Sequence, residues 1–267
     1  MGKVTSRDGT TIAFDRSGEG PAVILVGGAF SERAHPSLSQ LAALLASDFT
    51  VYNYDRRGRG DSGDTAPYSV DREVEDLEAL IADAGGSASV FGLSSGGALA
   101  LEAATRGAPI AKLAVMEAPY IVDDSRPPMP ENLVDTLSEL ISSDRRGDAV
   151  ELFVTTGMNL PVEVVAQWRH APMWPGFEGL AHTLVYDATL VLDSSMPAGR
   201  VSSIKVPTLL IDGGESPGWI RNAVKTVVEA VPGAEHRTLE GQDHFSVAGE
   251  ALAPVLAEFF ADTKKAN

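Results

Sequence analysis

A serine framed by glycines is the first stretch of this chain whose residue types and spacing could do chemistry: Gly92-Leu93-Ser94-Ser95-Gly96, with Gly97 directly after it. A β-prone run, Ala88-Ser89-Val90-Phe91, leads in, and a small-residue helical pattern from Ala98 to Ala104 leads out. Strand, G-x-S-x-G and helix in that order are the signature of a nucleophile elbow. The turn is tight enough that a side chain at position 92 or 96 would strike the adjoining backbone, and its strain lifts the Ser94 hydroxyl clear of the sheet. The helix N-terminus beneath adds amide hydrogens and a partial positive charge. A hydroxyl is a weak nucleophile at neutral pH and needs a positioned imidazole to take its proton. The chain holds five histidines, at 35, 170, 182, 236 and 244. None shows H-E-x-x-H spacing, and no metal or cofactor is expected.

The elements that must position these groups read as an alternation of short apolar strands and amphipathic helices, the mark of βαβ units on a mostly parallel sheet. Residues 2–17 form a hairpin about Asp8-Gly9. Ala22-Val23-Ile24-Leu25-Val26 is apolar throughout, as a strand buried on both faces must be, and it ends in Gly27-Gly28-Ala29-Phe30. A helix over 37–47, a strand from Phe49 and a helix carrying Val70, Val74, Leu77, Leu80 and Ile81 precede the elbow. Between them Tyr54-Asp55-Arg56-Arg57-Gly58-Arg59-Gly60-Asp61-Ser62-Gly63 is read as a hydrogen-bonded structural loop. It is not a G-x-x-x-x-G-K-[ST] phosphate loop, and Asp55 and Asp61 offset its arginines locally.

The strand Leu113–Met116 runs on to Glu117, after which the pattern changes. Residues 121–200 hold no convincing buried strand, open on Arg126-Pro127-Pro128-Met129-Pro130 and continue as short helical patterns rich in large apolar groups. They are expected to form a helical cap, with residues 1–120 and 201–267 as the core. Phe30, Trp168 and Trp174 are the expected pocket-lining residues. The sheet resumes at Val206–Asp212, and the last strand leads to Glu240-Gly241-Gln242-Asp243-His244. His244 is the histidine placed at the same sheet edge as Ser94; the other four are read as structural or solvated.

A length of 267 residues suits this single α/β domain with an insertion, and a net charge of −16 argues against nucleic acid or an anionic membrane as partner. The absence of cysteine excludes thiol catalysis, thiolate metal sites and disulfides. No apolar run approaches a membrane span. The first residues lack the apolar core of a signal peptide, so a cytoplasmic location and a small-molecule substrate are expected.

Taken together, the Gly27-Gly28 strand end, the Asp55…Arg57-Gly58…Gly60…Ser62 loop, the Gly92–Gly96 elbow and Gly241…His244 resemble the α/β-hydrolase fold superfamily over nearly the whole chain. The resemblance implies Ser94 as nucleophile, His244 as general base, and an oxyanion hole from the backbone amides of Ala29 and Ser95. It departs at the acid. Where most members keep an Asp past the strand ending at Asp212, this chain has Ser216, which cannot stabilise an imidazolium as a carboxylate does. Glu117, Glu215 and Asp212 compete for the role. Glu117 is preferred: a carboxylate ending a buried strand is costly unless paired, and haloalkane dehalogenases and zearalenone-type lactonases of this fold take their acid from this strand end. Dehalogenases attack with Asp, however, whereas Ser94 favours acyl transfer to water. The expectation is therefore a serine hydrolase acting on a small-to-medium hydrophobic ester or lactone. The same three residue types also serve hydroxynitrile-type lyases and C–C bond hydrolases, and a small-molecule binding protein with residual hydrolysis would retain them.

Overall fold

The computed structural model describes residues 1–192 and 198–261. Among them the apolar runs assemble into one sheet of eight strands in the order β1-β2-β4-β3-β5-β6-β7-β8. β1 (Gly2–Thr5) and β2 (Thr11–Ser17) form the expected hairpin and join antiparallel to β4. From β4 (Thr50–Tyr54) onward every pairing is parallel, through β3 (Ala22–Val26), β5 (Ala88–Leu93), β6 (Ile110–Met116), β7 (Thr208–Gly213) and β8 (Glu235–Leu239).

Strand alternation sorts the core into two layers. Ile24, Val26, Val90 and Val115 face α2 (Val70–Asp83), α3 (Ser95–Thr105) and α10 (Gly218–Ala230). Val23, Leu25, Phe91 and Ala114 face α1 (Pro36–Leu45) and α11 (Gly249–Ala261). Because β3 pairs with β4 on one side and β5 on the other, the chain reverses its winding direction between β3 and β5. Ligands of open α/β sheets bind at the carboxyl ends of the strands at such a point. Residues 27–30 leave β3 there and Ser94 leaves β5 there.

The chain departs from the sheet between β6 and β7. α4 (Leu133–Ser142), α5 (Arg146–Leu152), α6 (Val162–Trp168), α7 (Trp174–Leu180) and α8 (Leu184–Leu192) pack around an apolar cluster of their own, centred on Leu137, Val150, Val154, Val165, Leu184 and Ala188. A short α9 (Ala198–Val201) returns toward β7. Residues 193–197, within the expected cap range of 121–200, and 262–267 lie outside the described residues. Among the described residues no helix is long and apolar enough to cross a membrane.

The arginine-rich loop is structural, but its counter-charges are not the local ones. Asp55 and Asp61 bind Arg33. The buried arginines reach distant acids instead: Arg56 pairs with Glu73 and Asp187, Arg57 with Asp76 and Asp8, and Arg59 with Asp187. Burial drives Arg57 to shed its charge, yet the hydrogen bond and field of Asp76 outweigh this and hold it firmly protonated.

Candidate active site

The elbow is built by close approach. Ser94 sits at φ 54° and ψ −124°, a conformation that costs an L-residue about 1–3 kcal/mol. Its N–H donates to the Met116 carbonyl at 2.9 Å, and its carbonyl accepts from Gly97 at 2.9 Å, opening α3. A Cβ on Gly96 would lie 2.3 Å from the Val26 carbonyl oxygen, and one on Gly92 would lie 2.5 Å from that of Gly96. Both contacts are with backbone, which cannot swing aside. Gly96→Ala is accordingly expected to destabilise the fold by about 3 kcal/mol, read in a thermal melt as a midpoint lowered by roughly 6–12 °C.

Register does the rest. Leu93 pairs with Met116, so the residue after each strand, Ser94 and Glu117, emerges at the same sheet edge. Glu117 also has positive φ, 53°, and is fully buried. His244 arrives from the loop after β8 with its side chain 8% exposed. Its Nε2 lies 3.2 Å from Ser94 Oγ and its Nδ1 lies 2.8 Å from Glu117 Oε2. The other Glu117 oxygen, Oε1, accepts the Gly213 N–H at 2.8 Å, so the end of β7 donates a backbone amide to the acid.

The rival carboxylates face elsewhere. Asp212 is buried on the His236 and Thr238 side chains, at 3.1 and 2.7 Å. Glu215 is exposed, and Ser216 is buried with its hydroxyl unpartnered. Ala29, at the end of β3, stands beside the nucleophile: a Cβ on its neighbour Gly28 would touch Ser94 Cβ at 3.0 Å. Among the described residues the backbone N–H groups of Ala29 and Ser95 donate to no protein acceptor.

Two hollows open onto Ser94 and His244. A narrow one of about 40 Å³ is walled by Met129, Phe153, Val191 and Trp219. A wide one of about 540 Å³ is lined by Phe30, Leu38, Trp168, Met173 and Phe177. Phe30, also at positive φ (58°), stacks obliquely on Phe177 with ring centroids 4.5 Å apart. Phe30 and Trp168 thus line the wide hollow, but Trp174 lines neither. It is 6% exposed inside the apolar cluster of α4–α8, with the Arg169 guanidinium over its ring. Helical periodicity marks Trp174 as apolar and inward but does not say which apolar body it joins.

Sequence reasoning missed Met158, which lines both hollows, and His35, at the rim of the wide one, where burial lowers its pKa. It also missed Asp187. The available signal was a lone carboxylate on the Leu184, Ala188, Val191 stripe of α8. Such a group is expensive in an apolar stripe unless cations meet it, and here Arg56 and Arg59 do.

Comparison with known proteins places this geometry in context. A family model described as the alpha/beta hydrolase family matches residues 22–258. An alpha/beta hydrolase from Sphaerobacter thermophilus DSM 20745 is 55% identical, with a TM-score of 0.92 over 97% of this chain and 100% of that one. The enol-lactonase from Burkholderia xenovorans LB400, at 22% identity and a TM-score of 0.72 over 98% of this chain and 100% of that one, shares the fold. So does an esterase from Exiguobacterium antarcticum, at 20% identity and a TM-score of 0.74 over the same shares of both chains.

Proposed function

The chain belongs to the alpha/beta hydrolase family, and from that premise we propose that it is a serine hydrolase cleaving a small-to-medium hydrophobic ester or lactone through an acyl-enzyme on Ser94. One observation carries the reading: the hydrogen-bonded line from Ser94 Oγ to His244 Nε2 at 3.2 Å and from His244 Nδ1 to Glu117 Oε2 at 2.8 Å. The enol-lactonase and the esterase act on bonds of this kind, but their likeness is one of fold.

Ser94 Oγ attacks the carbonyl carbon while His244 Nε2 takes its proton. The carbonyl π electrons move to oxygen, and the Ala29 and Ser95 N–H groups donate hydrogen bonds to the oxyanion that forms. One such donor contributes about 2.7–4 kcal/mol to the transition state. Glu117 accepts from Nδ1–H, which leaves Nε2 free as the acceptor and stabilises the imidazolium that forms. Collapse of the tetrahedral intermediate breaks the ester C–O bond, and His244 returns the proton to the leaving oxygen. Water then repeats the sequence on the acyl-enzyme, releasing the acid and restoring Ser94. For a lactone, alcohol and acid leave as one molecule.

The hollows shape the substrate. The narrow one has room for about three waters by volume; the wide one admits an aromatic ring. A nitrophenyl ester must place its ring in the wide hollow and its acyl group in the narrow one. kcat/KM is therefore expected to fall by tenfold or more from p-nitrophenyl acetate to the octanoate, since a misfit of one methylene alone is worth roughly 10–200-fold. A panel of nitrophenyl esters and lactones tests both statements. Turnover of short-acyl esters supports them; absence of turnover throughout the panel, with Ser94 still reactive toward a fluorophosphonate, points instead to lyase or C–C bond chemistry or to a small-molecule binding protein.

A further inference from the structure

Behind the two amides assigned to the oxyanion lies a closed set of charges that the reaction above does not use. Asp187, on α8, is fully buried. Its Oδ1 accepts from Ser95 Oγ and from Arg56 Nη1, each at 2.8 Å, and its Oδ2 accepts from Arg59 Nη2 at 2.7 Å. Arg56 turns its remaining edge to Glu73, at 2.7 and 2.6 Å, and Tyr68 donates to the same carboxylate at 2.9 Å. Arg59 Nη1 donates to the carbonyl oxygens of Gly28 and Ser31. The two guanidinium groups and two carboxylates balance. Burial pushes both carboxyl groups up, but the arginines prevail and hold Asp187 and Glu73 below the ordinary carboxylate range.

The placement of this set is specific. The Gly28 carbonyl and the Ala29 N–H belong to one planar trans peptide, so gripping the oxygen aims the N–H in the opposite direction. Drawing density toward that oxygen also makes the N–H a stronger donor, as in any hydrogen-bonded chain. The second amide belongs to Ser95, the residue whose hydroxyl Asp187 pins. Asp187 therefore reaches both donors from behind, one through Arg59 and one through the Ser95 side chain.

We propose that Asp187 is the positioning residue of the oxyanion hole, and that through it the cap helix α8 becomes part of the catalytic apparatus. The inference rests on the acyl-enzyme reading of Ser94. A role in stability alone does not account for the arrangement: a buried ion set roughly breaks even against well-packed apolar side chains, and nothing in stability requires it to close on the Gly28 carbonyl and the Ser95 hydroxyl, one beside each oxyanion amide. Asp187 also borders the narrow hollow, but both its oxygens are taken up by Ser95, Arg56 and Arg59, so it acts through the groups it holds.

The test uses the full chain and a trifluoromethyl ketone labelled with ¹³C at its carbonyl. Ser94 Oγ adds to that carbon, the serine proton passes to His244, and the carbonyl electrons move to an oxygen facing the two amides. The ¹³C shift, followed against pH, reports the acidity of that oxygen, which a merely structural role would not move. Asp187→Asn is expected to lower kcat by about 100-fold, change KM less than threefold, weaken the ketone by a similar factor and raise the adduct's apparent pKa. Ser95→Ala keeps every ion pair and the Arg59 grip on Gly28 and removes only the hydroxyl that donates to Asp187 and accepts from Arg56, so about tenfold is expected on kcat and ketone affinity. Should Asp187→Asn fail to fold, Ser95→Ala decides by the same measures. Variants that are folded and bind the ketone as tightly as the parent, with the adduct titrating at the same pH, overturn the inference even if their melting temperatures fall. A parent protein that forms no adduct at Ser94 overturns the acyl-enzyme reading instead, and the inference with it.

Discussion

Ser94→Ala is expected to lower turnover by about 10⁶-fold, the scale on which serine triads lose kcat when the nucleophile is removed, while the fold stays intact. Among the described residues the Ser94 side chain has one hydrogen-bond partner, His244. Everything that shapes the elbow comes from its backbone: the N–H on Met116 and the carbonyl that opens α3. Alanine adopts the same backbone at similar strain, so the melting temperature should change by no more than about 2 °C. Residual activity above the uncatalysed rate, about 10³–10⁴-fold, would come from the oxyanion amides and binding. Saturation kinetics on a short-acyl nitrophenyl ester, beside a thermal melt of each protein, measures both halves.

Glu117→Gln is expected to lower kcat by about 10⁴-fold with KM nearly unchanged. The two carboxylate oxygens meet two donors, the Gly213 N–H and the His244 Nδ1–H. An amide has one acceptor. If its NH₂ faces His244, the imidazole must present a bare Nδ1 and carry its proton on Nε2, which then cannot accept from Ser94. If its oxygen faces His244, the NH₂ opposes the Gly213 N–H, and a buried donor is left unpaired at about 1–3 kcal/mol. Either way the charge that stabilises the imidazolium is gone and kcat falls; a lowered melting temperature beside it marks the second orientation. Turnover near that of the parent would remove Glu117 from the triad.

How much of this could be read from the residues depends on the range of each interaction. The elbow was legible because its demands are local: Gly92 and Gly96 are required by contacts within a few residues and with the adjoining strand. The strands were legible because burial on both faces forces continuous apolar runs. Three carboxylates remained in competition because reach is a property of strand order. Only once β5 and β6 are known to be neighbours, with Leu93 opposite Met116, does position 117 fall beside position 94, while Asp212 turns to His236 and Thr238. The partners of the arginine loop are hidden in the sequence for the same reason. Asp55 and Asp61 are close in sequence, but the acids that meet Arg56 and Arg59 lie on α2 and α8. Asp187 could have been singled out as a charge in an apolar helical stripe, though its partners could not.

The most direct measurement is the intact mass of the protein after exposure to a fluorophosphonate, whose phosphorus is attacked by an activated serine with loss of fluoride. One adduct is expected on the parent chain, none on Ser94→Ala, and far slower labelling of Glu117→Gln. A parent chain that stays unlabelled, or an adduct that persists when Ser94 is alanine, would contradict Ser94 as the nucleophile.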